Sequence, residues 1–306
     1  MGSEMCIRDR RRTLGHATTK CKIMKYLKTP LRYPGGKSRV AKRLITKFPK
    51  NIGEFREPFV GGGSVALHFS QLYPNVPVWV NDKYEYLYNF WVNLQKNGAE
   101  LSDTLIDIKV NHSTEDKAKE LFKGAKDEIK TADSFRKAVL FWVLNKCSYS
   151  GLTENSSFSA TASRQNFTTR GAGYLKEISK IIQHWKITNL DYTEVMMDEL
   201  STPRNCFIFL DPPYMISSYL YGTDAKLHKS FDHDKFVDDC AVCPFDWMVT
   251  YNNDDYLKQK YKDFYQEEFQ ITYGMKHRAN NHLKKELLVA NYDINPASPL
   301  EALINA

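Results

Sequence analysis

The sequence predicts an α/β fold: a mostly parallel sheet flanked by helices, with a mainly helical insertion in its middle. Three observations carry this. Short apolar runs alternate with helical periods through the first third, the middle is charged and helix-patterned, and strand-like runs resume from residue 187. Strands and helices in alternation read as crossover units of a parallel sheet.

Each element has its own signal. Residues 38–48 (SRVAKRLITKF) place apolar side chains at helical spacing, 54–60 are short and extended, and 64–72 follow three glycines as a helix. Residues 76–80 (VPVWV) form a strand that ends at Asn81-Asp82, and 84–94 form a helix with Tyr, Leu, Phe and Trp on one side. Residues 95–145 read as charged helices ending in an apolar one at 135–144. Residues 146–174 are rich in Ser, Thr, Asn and Gly with isolated aromatics, which reads as a long polar loop region. Strands are expected at 187–190, 206–210, 247–250, 269–273 and 287–291. Trp142, Trp185 and Trp247 are expected in the core.

The bulk numbers bound the function classes. At 306 residues, 42% hydrophobic and 13% aromatic, the chain has enough apolar mass for one large or two ordinary packed domains. No apolar run approaches a membrane span, and the basic start lacks the apolar stretch of a secretory signal. The net charge of +7 is uneven: the first fifty residues hold fifteen Lys/Arg against Glu4 and Asp9. A basic head and a mildly basic middle suit a polyanionic partner, and equally an ordinary solvated surface. Residues 1–23 have little to bury, and their MCIRDR piece reads like translated adapter sequence, so a disordered or spurious head is expected. Six scattered cysteines point to a reducing cytoplasm. Cys240 and Cys243 form a CxxC downstream of His228 and His233, but the second CxxC of a zinc site is missing, and no metal is expected.

The chemistry concentrates at strand ends. Asp211-Pro212-Pro213-Tyr214 follows directly on the apolar run CFIFL. An acid, two stiff prolines and a ring are thereby delivered to the carboxyl end of a buried strand, where open α/β sheets bind ligands. The Asp side chain and a proline carbonyl can accept from an exocyclic amino group while the Tyr face stacks on a flat heterocycle. Glu57-Pro58-Phe59-Val60-Gly61-Gly62-Gly63-Ser64 lies between a strand and a helix, and Gly61, Gly63 and Ala66 fit a loose GxGxxA. Asp82, at the next strand end, suits ribose hydroxyls. These features point to a nucleoside cofactor without saying which. Tyr33-Pro34-Gly35-Gly36-Lys37-Ser38 ends like a phosphate-binding P-loop, but Leu31 stands where the upstream glycine should be and no strand precedes it. A Lys and a Tyr on this turn can instead meet a carboxylate and a flat ring. His233, in FDH, reads as a structural or capping residue. Lys276, His277, Arg278, Lys284 and Lys285 form either a DNA-facing hairpin or a solvated turn, with DNA favoured.

Taken together, RYPGGK, EPFVGGGSV, the VND strand end and FLDPPY resemble, in order, the Dam-like (D12 class) DNA adenine-N6 methyltransferases. Further matches are NLDY at 189–192, SFDH at 230–233, TYNN at 250–253, KELL at 285–288 and NY at 291–292, so the resemblance covers residues 29–292. It implies a Rossmann-like S-adenosylmethionine-dependent methyltransferase fold, with a catalytic domain at 24–94 and 176–306 and an inserted target-recognition domain at 95–175. It implies that Tyr33, Lys37, Gly61, Gly63, Asp82, Asp191 and Asp211 form the S-adenosylmethionine site. Asp211, Pro212, Pro213 and Tyr214 would act on the flipped adenine. The implied activity is site-specific transfer of a methyl group to N6 of adenine in double-stranded DNA, by a cytoplasmic monomer. A restriction endonuclease of the same system is a partner this reading allows. The alternatives are an RNA or protein-amide N-methyltransferase and a nicotinamide-dependent dehydrogenase built on the glycine motif.

Overall fold

A computed structural model describes residues 26–199, 205–214, 231–272 and 283–295. The expected head at 1–23, His228, and Lys276, His277 and Arg278 lie outside the described residues. The centre is one seven-stranded sheet: β1 (Glu54–Glu57), β2 (Val78–Asn81), β3 (Trp185–Thr188), β4 (Cys206–Leu210), β5 (Asp246–Asn252), β6 (Tyr265–Thr272) and β7 (Leu283–Ala290), in the spatial order β3-β2-β1-β4-β5-β7-β6. The first five strands are parallel, and β7 enters antiparallel between β5 and β6.

Period-two alternation assigns the strand side chains to two cores. On β4, Phe207 and Phe209 face one core, and Cys206, Ile208 and Leu210 the other. On β5, Met248 joins the first, while Trp247, Val249 and Tyr251 join the second. Every residue of β4 is buried, as a strand covered on both faces requires. The first core is closed by α1 (Ala41–Ile45), α2 (Ser64–Leu72) and α3 (Glu85–Asn111). The second is closed by α8 (Tyr192–Met196), α9 (His233–Val242) and α10 (Asp255–Lys260).

Between β2 and β3 the chain is helical: α3, α4 (Glu115–Glu128), α5 (Ser134–Cys147), α6 (Ala160–Asn166) and α7 (Thr169–Ile181). α5 is buried from Ala138 to Cys147 on all sides, the mark of a central helix. Leu101, Phe122 and Trp142 of these helices, and Phe167 at the end of α6, belong to the same core as Phe55 and Val80 of the sheet. The expected insertion boundaries fall inside helices: 94/95 lies in α3, just before a kink at Asn97, and 175/176 lies in α7.

Several expectations on local structure need correction. The helix expected at 84–94 runs on to Asn111, because Leu101 and Leu105 continue its buried face beyond the kink. The polar stretch 146–174 is not mainly loop: its hydroxyls cap helices. Ser159 accepts from Ala162 N to start α6, and Thr168 accepts from Gly171 N to start α7. The helix expected at 38–48 shrinks to Ala41–Ile45 between turns. Trp142, Trp185 and Trp247 are core residues.

Candidate active site

β1 and β4 are neighbours, yet the chain continues from β1 towards β2 and from β4 towards β5. Loops leaving two such strands diverge and leave a crevice. The glycine segment follows β1 and Asp211–Tyr214 follows β4, so both open onto this crevice.

The third wall is the turn at 33–36. Gly36 N donates to Tyr33 O at 3.1 Å and Gly35 has φ +74°, so Pro34-Gly35 occupy the centre of a type II turn, whose third position needs positive φ. The Tyr33 ring lies against the glycine bend: a Cβ on Gly61 would stand 2.8 Å from Tyr33 Cε1. On the other side, a Cβ on Gly63 would stand 2.6 Å from Trp91 Cζ2. With φ of +47° and +66°, Gly61 and Gly63 satisfy both a backbone and a space requirement that no other residue meets. Trp91 Nε1 donates to Gly61 O at 3.1 Å and fixes the bend from below.

Lys37, almost fully buried, reaches from this turn to the end of β4. Its ammonium donates to Asp211 Oδ1 at 2.7 Å, Asp211 Oδ2 at 2.9 Å and Tyr214 OH at 2.8 Å. It also reaches Gly35 O at 3.0 Å and stands 4.8 Å from the Tyr214 ring centre. The carboxylate and flat ring that this lysine meets are thus the protein's own. Thr250 on β5 donates to Asp211 Oδ1 at 2.8 Å. Tyr214 OH donates to Glu286 Oε2 at 3.0 Å, and that oxygen lies 3.9 Å from Lys37 Nζ. Burial lifts the Glu286 carboxyl to about 7, opposed by Lys37 and reinforced by Asp211. Burial, then the charges of Asp211 and Glu286, hold the Tyr214 phenol neutral and well above its ordinary range. It therefore remains a donor.

Asp82 closes the far side. Its Oδ2 accepts from Gly61 N and its Oδ1 from Tyr84 N, both at 2.9 Å. Burial raises its pKa to about 6 against those two bonds. Each oxygen keeps a further lone pair for a ligand hydroxyl. Glu57, fully inside, accepts from Ala66 N at 2.8 Å at the amino end of α2. Burial raises its pKa well above the carboxylate range. A protein carboxyl thus fills the position where a dinucleotide fold holds pyrophosphate, which leaves the dehydrogenase alternative without its anion site. The Asp82 and Asp211 carboxylates beside one lysine favour a cationic, hydroxyl-bearing ligand over a phosphate.

Asp191 lies apart from these contacts. It caps α8, taking Thr193 N at 3.2 Å and Thr193 Oγ1 at 2.8 Å, with Glu194 completing a capping box. It adjoins the Asp82 end through Asn189, whose Nδ2 donates to Asp82 O at 2.7 Å, and through Lys83, 3.9 Å from Asp191 Oδ2.

The family description "D12 class N6 adenine-specific DNA methyltransferase" matches residues 33–287. The chain belongs to this family. Three curated relatives are type II or modification methylases. The Type II methyltransferase M.MjaIII of Methanocaldococcus jannaschii is 27% identical, over 60% of this chain and 68% of its own length. The modification methylase StsI of Streptococcus sanguinis is 26% identical over 65% of this chain but 30% of its own length. The Type II methyltransferase M1.LlaDCHI of Lactococcus lactis subsp. cremoris is 22% identical over 85% and 94%. The sheet order and helical cover are those of a mixed α/β methyltransferase fold.

In this methyltransferase, Tyr33, Lys37, Gly61, Gly63, Asp82, Asp211 and Tyr214 surround one crevice, Pro212 and Pro213 join its β4 wall, and Asp191 stands at its margin. Sequence reading missed Glu286 and Thr250 as members. The available signal was an acid that directly precedes the apolar run LLVA of β7, where every residue from Glu286 to Ala290 is buried. Cys240 and Cys243 are core thiols: Tyr261 OH meets Cys240 Sγ at 3.9 Å, and Cys243 Sγ donates to Met196 O at 3.7 Å. His233 Nδ1 lies 2.9 Å from Tyr251 OH, and Asp232 caps α9. Lys276, His277 and Arg278 lie outside the described residues, and Lys285 pairs with Glu268 at 3.1 Å.

Proposed function

We propose that the chain methylates N6 of adenine at a specific sequence in double-stranded DNA, with S-adenosylmethionine as methyl donor, by base flipping and direct in-line transfer. The observation that carries this reading is the Lys37 ammonium held on Asp211 and Tyr214, which draws the 33–37 turn and the β4 end into one crevice. The glycine bend, with no room for a side chain, and the acid-rich lining support a sulfonium cofactor. When bound, S-adenosylmethionine supplies an electrophilic methyl group.

In this reading Asp82 accepts the ribose hydroxyls, and Tyr33, Gly61 and Gly63 shape the methionine side. Asp191 is assigned to the adenine end of the cofactor. Asp211 and the Pro212 carbonyl accept from the N6 amino group of the target. That favours a more tetrahedral nitrogen, whose lone pair then leaves the ring system and becomes nucleophilic. Pro213 stiffens the segment, and Tyr214 stacks on the base. Extrusion costs a few kcal/mol, offset by these contacts. Both Asp211 oxygens already accept from Lys37, and Oδ1 also from Thr250, so the target amino group takes a remaining lone pair of a carboxylate that these contacts orient, while Glu286 holds the phenol. Residues 24–94 and 176–306 supply catalysis, and 95–175 supply target recognition, with lysines and arginines on phosphate.

The test is tritium transfer from labelled S-adenosylmethionine to duplex DNA, RNA and protein, followed by nucleoside analysis. Label in N6-methyladenine of DNA is expected. Label in RNA or protein but not in duplex DNA contradicts the reading.

A further inference from the structure

The helical region grips the segment that carries Tyr33 and Lys37. Asn145, at the end of α5 and almost fully buried, accepts from Arg32 N through Oδ1 at 2.9 Å and donates from Nδ2 to Arg32 O at 2.7 Å. One side-chain amide thus closes on both backbone groups of the residue before Tyr33, as a neighbouring strand would. The same Nδ2 reaches Gly151 O at 3.2 Å. Arg32 Nη1 donates to Ser148 O at 2.9 Å, and the buried Lys146 ammonium donates to Pro30 O. Gly151 has φ +77°, and a Cβ there would stand 2.5 Å from Arg32 O, so the two backbones touch.

The turn that approaches Arg32 is itself strained. Ser150 and Thr153 both have positive φ, +54° and +53°, without being glycine. Such conformations persist only where surroundings over-determine them. Here the surroundings are the 30–32 segment on one side and, on the other, Tyr84 OH donating to Glu154 Oε1, two residues beyond Asp82. The 145–154 segment therefore touches the residues that lead into the Tyr33–Lys37 turn on one side, and Tyr84, whose N–H is held by Asp82, on the other.

We infer that Asn145 is a positioning residue for the cofactor site: it sets the Tyr33–Lys37 turn through Arg32 and couples the 148–154 turn of the helical region to cofactor binding. The inference rests on the cofactor reading above. Coupling of this kind is reciprocal, so occupancy of the crevice must be felt at 145–154.

Two measurements test it. In the wild-type protein, S-adenosylhomocysteine should slow amide hydrogen exchange at 145–154 as well as at 33–38. Slowing confined to 33–38 overturns the coupling. Asn145→Asp keeps the acceptor and removes both amide donors. It should raise KM for S-adenosylmethionine about tenfold, as expected when a buried carbonyl loses its donor, with KM for DNA changed less than about twofold. It should also speed exchange at 33–38 without ligand while β4 and β5 stay protected. A folded variant with unchanged cofactor KM and unchanged exchange at 33–38 overturns the positioning role. If S-adenosylhomocysteine slows exchange nowhere, the cofactor reading fails instead, and ligand-free exchange in the variant still decides whether Asn145 sets the turn.

Discussion

The Lys37 ammonium stands 2.7 Å from Asp211 Oδ1 although 174 residues separate the two in sequence. Removing the cation leaves Asp211, Glu286 and the Tyr214 phenol facing one another with no positive partner. Lys37→Met should destabilise the fold by about 3 kcal/mol, the range for an uncompensated buried charge, and abolish transfer. Denaturant unfolding followed by Trp fluorescence measures the first effect. A loss below about 0.5 kcal/mol would show that the pair is not the clasp described here.

Asp211→Asn preserves shape but turns one acceptor into a donor aimed at the target amino group. Transfer should fall about 100-fold or more, the scale for losing one preorganised electrostatic contact at a reacting centre. DNA affinity by fluorescence anisotropy should stay within about twofold. Equal loss of binding and turnover would assign Asp211 to DNA affinity rather than chemistry.

Glu286 gives a pH signature. Its carboxyl titrates near 7 in the fold, against an ordinary value of 4.5 in the unfolded chain. Between these values the native state holds a proton that the unfolded state has released, so stability is full at low pH and falls as pH rises towards 7. Asp82, raised to about 6, acts in the same direction. Glu286→Gln keeps an acceptor for Tyr214 OH and removes the titration. Its stability relative to wild type should therefore improve from about pH 5 to about pH 7 and level off above that, as read from urea midpoints. A pH-independent difference would place the Glu286 titration elsewhere.

Gly61→Ala adds a methyl group at φ +47°, where it would meet Tyr33 Cε1 at 2.8 Å. The conformational penalty alone is about 1–2 kcal/mol. A lower melting temperature and weaker S-adenosylhomocysteine binding by calorimetry should appear together. Wild-type affinity in the variant would separate the bend from the cofactor site.

The strand that delivers Asp211 was legible because CFIFL is continuously apolar and ends on an acid and two prolines, so that its bounds needed no tertiary information. The glycine bend was legible for a similar reason: Gly63 and Ser64 mark a helix start that local geometry enforces. Glu286 was not, because its role depends on β7 entering antiparallel beside β5, a pairing no local pattern announces. The polar stretch after Cys147 was misread as loop because Ser159 and Thr168 favour turns and helix caps alike, and only packing chooses between them. Asn145 was invisible for the same reason as Glu286: its partner, Arg32, lies 113 residues away.

The most direct measurement of the central claim is single-molecule sequencing of genomic DNA from a methylation-free host that expresses either the wild-type chain or Asp211→Ala. N6-methyladenine at one recurring sequence in the wild-type host, and its absence with Asp211→Ala, is the predicted result. A genome without modified adenine in the wild-type host, or the same pattern with the variant, would contradict the account.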